Sequence, residues 1–139
     1  MQPVSRPAGC DHLDDELLVA RFEALAIPPS DFRHREHVRL AFAMLAGADF
    51  GEAAVRYRHA LRRFAASVGA AGKYHETLTW AYLAVIHARM DALGCATSFE
   101  LCARAPELLD PRGALARHYD LDAIARNPVA RRVFVLPDR

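Results

Sequence analysis

The chain has 139 residues, 53% of them hydrophobic and 25% charged, which suits one soluble globular domain with a core that needs no disulfide or metal staples. Its 18 Lys and Arg against 17 Asp and Glu leave a net charge of +1, so no strong field favours nucleic acid or a membrane surface. Three cysteines, Cys10, Cys95 and Cys102, leave one unpaired in any scheme and lack CxxC spacing, so a reduced, cytoplasmic protein is expected.

The composition is rich in Ala, Leu and Arg, and no strand alternation of useful length occurs apart from Val133–Leu136, which predicts an all-α fold. Residues 1–10, with Pro3, Pro7 and Gly9, read as a loose arm. Leu13, Leu17, Leu18, Phe22 and Leu25 then recur at helical spacing until Pro28-Pro29 stops the pattern. Ser30 or Asp31 is the expected cap of a second helix bearing Val38, Ala41, Phe42 and Leu45 on one face. Asp49 with Glu52 opens a third, whose inward stripe is Tyr57, Leu61, Phe64 and Val68. The fourth segment, Tyr74 to Leu93, has no Asp, Glu, Lys or Arg between Thr77 and Ala88. An all-round apolar helix is a buried one, so this segment is expected at the centre, with Leu78, Tyr82, Val85 and Ile86 in the core and Trp80 mostly covered. Gly94 is its expected stop. Thr97, Asp110-Pro111 and Asn127-Pro128 open short C-terminal helices. The prediction is therefore a single domain over 1–139: a compact bundle of four main helices with a central apolar fourth, followed by short helices.

Two motifs stand where helices begin: His34-Arg35-Glu36-His37 and Tyr74-His75-Glu76-Thr77-Leu78-Thr79. His34 and His37, three apart, extend the Val38–Ala41–Leu45 stripe, while His75 heads a stripe of Thr79, Tyr82, Ile86 and Met90. Short connections favour an up-down-up arrangement, which brings both helix starts to one rim. There the positive end of each helix favours neutral imidazole, the form that binds metals or accepts protons. The candidate metal ligands are His34, His37 and His75. Glu76 is the candidate catalytic base, although one residue of helix rotates it about 100° from His75. A partner to a ligand or a charge stabilising the helix start are equally good readings of it. Tyr74, Thr79 and His118 are further pocket candidates, with His118 the best outside fourth ligand. His87 is expected in the core and His59 on a solvent face.

Several familiar patterns fail on spacing. HExxH needs His at 79, where the chain has Thr, and Gly69-Ala70-Ala71-Gly72-Lys73 is too short for a phosphate loop. No Gly-x-Ser-x-Gly elbow occurs. The pairing of F-x-H-x-x-H-V, Phe32 to Val38, with Y-H-E-T-L-T, Tyr74 to Thr79, resembles a family of small, uncharacterised bacterial helical proteins, over about Phe22 to Tyr119. The resemblance implies that the two motifs form one unit and implies no reaction. Relatives of that kind often carry Gly before the Tyr-His pair, where this chain has Lys73.

Two functional readings compete. One is a small-molecule-binding protein, or a metal-dependent or acid–base enzyme, using zinc, iron, nickel or copper at the three imidazoles with one coordination position open. The other is a non-catalytic helical binding or interaction module whose histidines are structural. Neither calls for nucleic acid or a membrane. A homodimer is an expected alternative source of cover for the fourth helix.

Overall fold

The computed structural model describes residues 9–139; the expected arm over 1–8 lies outside the described residues. These fold into eight α-helices joined by short 3-10 turns, with no strand among them. The helices are α1 (Asp15–Glu23), α2 (His34–Leu45), α3 (Phe50–Ser67), α4 (Glu76–Leu93), α5 (Ser98–Arg104), α6 (Pro111–Ala116), α7 (Leu121–Arg126) and α8 (Pro128–Arg132). Most boundaries follow their caps. Asp49 Oδ1 accepts the Glu52 N–H at 3.2 Å, Thr97 Oγ1 accepts the Glu100 N–H at 3.2 Å, and Asn127 Oδ1 accepts the Val129 N–H at 2.9 Å. Gly94 closes α4 at φ +64°, a left-handed conformation that glycine adopts without a Cβ penalty.

The start of α2 departs from expectation. Its cap is Arg33, not Ser30 or Asp31, and Glu36 reaches back to accept the Arg33 N–H at 3.0 Å. Ser30 and Asp31 instead fall within a preceding 3-10 turn.

The centre of the bundle is α2, not α4. It packs against α1, α3, α4 and α5, and eight of its residues are buried, including Glu36 and Arg39. Arg39 has no solvent exposure and acts as a polar staple. Its guanidinium donates to Ser98 Oγ at 2.8 Å, the Cys10 carbonyl at 2.8 Å and the Leu13 carbonyl at 2.7 Å, and lies 4.0 Å from the Phe99 ring centroid. Each guanidinium nitrogen thus finds an acceptor, the condition for burying a charge. Asp15 completes the knot by accepting the Ser98 N–H at 2.8 Å. Cys10, expected in a loose arm, is buried at its edge.

On α4 only Thr77, Ala81, Leu83 and Ile86 are buried, while Leu78, Trp80, Tyr82 and Val85 are half-covered and His87 is exposed against Phe50. The expected buried His87 is therefore wrong. The apolar faces of α4 line two hollows in place of a continuous core. A second, smaller core of Ala81, Leu115, Tyr119, Ile124 and Ala130 joins α4 to the C-terminal helices. Thr77 ties it down: its hydroxyl donates to the Ala130 carbonyl at 2.7 Å and accepts the Val135 N–H at 3.0 Å. Residues 133–136 form no strand.

Candidate functional site

The N-terminal end of α2, the C-terminal half of α3 and the first turns of α4 enclose a cleft of about 570 Å³. His34, His37 and His75 all line it, with Tyr57, Tyr74, Thr79 and Tyr82. Both motifs thus contribute side chains to one hollow, as the up-down-up arrangement predicts. Pro111, Leu115, Leu121 and Ala125 supply the opposite wall, and the remaining lining is mostly aliphatic or aromatic. Among the described residues no Asp or Glu lines it.

Each imidazole is held by an identifiable set of bonds. His34 Nε2 lies 2.9 Å from the Tyr82 hydroxyl and 2.9 Å from the Leu108 carbonyl, to which Tyr82 also donates. A carbonyl only accepts, so a bare lone pair on Nε2 would face another lone pair at that distance. We therefore assign the proton to Nε2. His37 packs its ring on Phe32, centroids 4.3 Å apart, and its Nδ1 lies 3.3 Å from the hydroxyl of buried Tyr57. Among the described residues that nitrogen is the acceptor in place for the Tyr57 O–H, so Nδ1 accepts and Nε2 carries the proton. His75 is the N-cap of α4, its Nδ1 accepting the Leu78 N–H at 3.2 Å. That too puts the proton on Nε2, which is buried without a well-formed hydrogen bond, the Ile124 carbonyl being near enough only to favour a proton there.

Two of the imidazoles and the three phenols of the site are held neutral. Burial, aided by the neighbouring His34, lowers the His37 pKa to about 4, and burial also lowers that of His75. Burial raises the phenols of Tyr57, Tyr74 and Tyr82 well above their usual range. Near neutral pH the cleft therefore presents His37, His75 and these phenols uncharged.

The three imidazoles share a cleft but not a coordination centre. Among the described residues no group of three or more His, Cys, Asp or Glu stands where it could hold a metal ion. The bonding explains why. His75 Nδ1 is engaged by the α4 helix cap, and His34 Nε2 is committed to Leu108. The His34, His37 and His75 metal group expected from sequence is not formed in this arrangement.

Glu76 is absent from the cleft lining. Its carboxylate accepts Arg58 Nε at 2.8 and 3.0 Å, Trp80 Nε1 at 3.2 Å and the Tyr74 hydroxyl. Burial alone would raise its pKa, but the bonds from Arg58 and Tyr74 outweigh it and hold the carboxyl below its ordinary range. A carboxylate so held is a poor base for a substrate it does not face, and it fixes Tyr74 instead. His118 likewise misses the cleft and lines the second hollow, beside Trp80, Phe50 and Phe134. Tyr74 and Thr79 do line the cleft, as expected. Tyr57 was legible only as an apolar stripe residue, and its role as the partner of His37 is set by the third dimension.

No disulfide forms among the described residues, and burial raises the thiols of Cys10 and Cys102. Among the described residues no helix is long and apolar enough to cross a membrane. No protein-family model, curated protein or solved structure matches the chain.

Proposed function

We propose that the chain binds a small, largely apolar molecule in the cleft between α2, α3 and α4, and reads a hydrogen-bond acceptor on it with the uncharged imidazole of His37. One observation carries this reading: an apolar hollow of ligand size in which several neutral polar side chains converge, the usual composition of a small-molecule site. His37 is the central recognition group. Its Nε2 has no protein partner among the described residues, and its other nitrogen is oriented by Tyr57. A neutral imidazole with the proton on Nε2 donates to a carbonyl or similar acceptor. Among the described residues no thiol or carboxylate lines the cleft, so its imidazoles are the groups in place for any proton transfer. The histidines that cap and tether remain structural in this scheme, so binding and scaffolding roles are divided among the three.

The test is occlusion. Ala65 lines the cleft on α3 and is half-buried, so Ala65→Trp fills the hollow from a face that can accept bulk. Naphthol, a rigid apolar probe with one hydroxyl, should bind the wild type, titrating amide signals of α2 and α4 by NMR, and should not bind Ala65→Trp of equal helical content. Equal binding by both proteins, or none by the wild type, rejects the site.

A further inference from the structure

The rim of the cleft narrows the class of ligand. Lys73 is exposed and lines the cleft, and the next residue, Tyr74, lines both the cleft and an adjoining hollow formed with Arg58, His59, Arg62 and Arg63. The Arg62 guanidinium lies 5.5 Å from the Tyr74 ring centroid. The carboxylate beside this edge is Glu76, and Arg58 already neutralises it at 2.8 Å. Neither Lys73 nor Arg62 has a carboxylate at ion-pair distance among the described residues. Two uncompensated cations therefore flank one aromatic edge of an apolar cleft that, among the described residues, is lined by no acid.

We propose that the occupant is an amphipathic monocarboxylate, its apolar body in the cleft and its carboxylate held at the Tyr74 edge by Lys73 and Arg62. This rests on the small-molecule reading and deepens it. The division of labour follows from the chemistry of the walls. Leu61, Phe64, Leu78 and Ile86 offer the body only apolar contact, which favours any hydrophobe of suitable size. The rim then discriminates by sign: a carboxylate gains two cations, a neutral alcohol gains nothing there, and an ammonium is repelled. A carboxylate left at the rim also keeps most of its hydration, so it avoids the cost of burying a charge.

Decanoate, decanol and decylamine share one apolar body and differ in head group, so isothermal titration of the three, below their aggregation limits, separates the terms. The expected order is decanoate tightest, decanol weaker and decylamine weakest. The double variant Arg62→Glu with Lys73→Glu should weaken decanoate about tenfold, leave decanol unchanged and improve decylamine, as expected for reversing two exposed charges. Both positions are exposed, and circular dichroism checks the fold. If the variant does not fold, wild-type salt dependence replaces it: raising sodium chloride should weaken decanoate and not decanol. Equal affinity for decanoate and decanol, with no salt effect, overturns the carboxylate inference while leaving the cleft reading intact. Failure of all three to bind overturns both.

Discussion

The neutral state of His37 makes a quantitative prediction. In the unfolded chain its imidazole titrates near the ordinary 6.5, whereas burial holds the folded value near 4. The unfolded state therefore binds the proton more readily between those values. The stability gained from keeping the ring neutral is complete above about pH 6.5, and is lost as pH falls toward 4. At roughly 1.4 kcal/mol per unit, the whole shift corresponds to about 3.5 kcal/mol, of which about 1.4 kcal/mol is already lost at about pH 5.5. Other groups contribute to acid sensitivity, notably Glu23 and Glu76, both held below their usual range. The comparison that isolates His37 is the wild type against His37→Leu, each unfolded in urea at about pH 7.5 and about pH 5.5. The wild type should lose about 1.4 kcal/mol more than the variant across that interval. Imidazole NMR titration gives the direct reading: the His37 ring signal should hold its neutral shift down to about pH 5. A midpoint near 6.5, or parallel pH profiles for the two proteins, refutes the buried neutral imidazole.

Three further outcomes follow from the same geometry. Arg39→Met should lower unfolding stability by about 3–5 kcal/mol in urea titration, because it strands the Cys10 and Leu13 carbonyls that the guanidinium satisfies; a loss under about 1 kcal/mol would show the staple to be replaceable. His75→Ala should cost about 1 kcal/mol as the α4 cap is lost, with His75→Asn recovering most of it in thermal melts, and identical melts for the two variants would deny the capping role. Zinc should show no stoichiometric binding to the purified protein by elemental analysis, and a zinc equivalent retained by the wild type but lost in His37→Ala would restore the metal reading.

The two histidine motifs were legible because helix starts have chemical signatures that act over three or four residues. Spacing placed His34 and His37 on the inward stripe, and short connections placed them with His75 at one hollow. What spacing could not show was commitment: whether each nitrogen was already engaged by Leu108, Tyr57 or the Leu78 amide depends on neighbours up to 74 residues away. The misplaced centre has a similar origin. Arg39 and Glu36 make α2 read as amphipathic, because a sequence pattern scores a buried, fully bonded arginine as a surface residue. Conversely, α4 reads as core because apolar side chains facing two hollows look the same in sequence as side chains facing a packed interior. Glu76 illustrates the limit of motif logic, since adjacency to His75 in sequence became separation in space after a rotation of about 100°.

The two unequal cores have a kinetic consequence. The wall of the cleft supplied by Leu115 and Leu121 belongs to the small C-terminal core, held by Thr77 and by Arg131, which donates to the Gly72 carbonyl at 2.7 Å. A unit with so few buried side chains opens by partial unfolding at a lower free energy than the α2-centred core. Amide hydrogens of α6, α7 and α8 should then exchange before those of α2, and the residence time of any molecule in the cleft is bounded by how often these three short helices lift away.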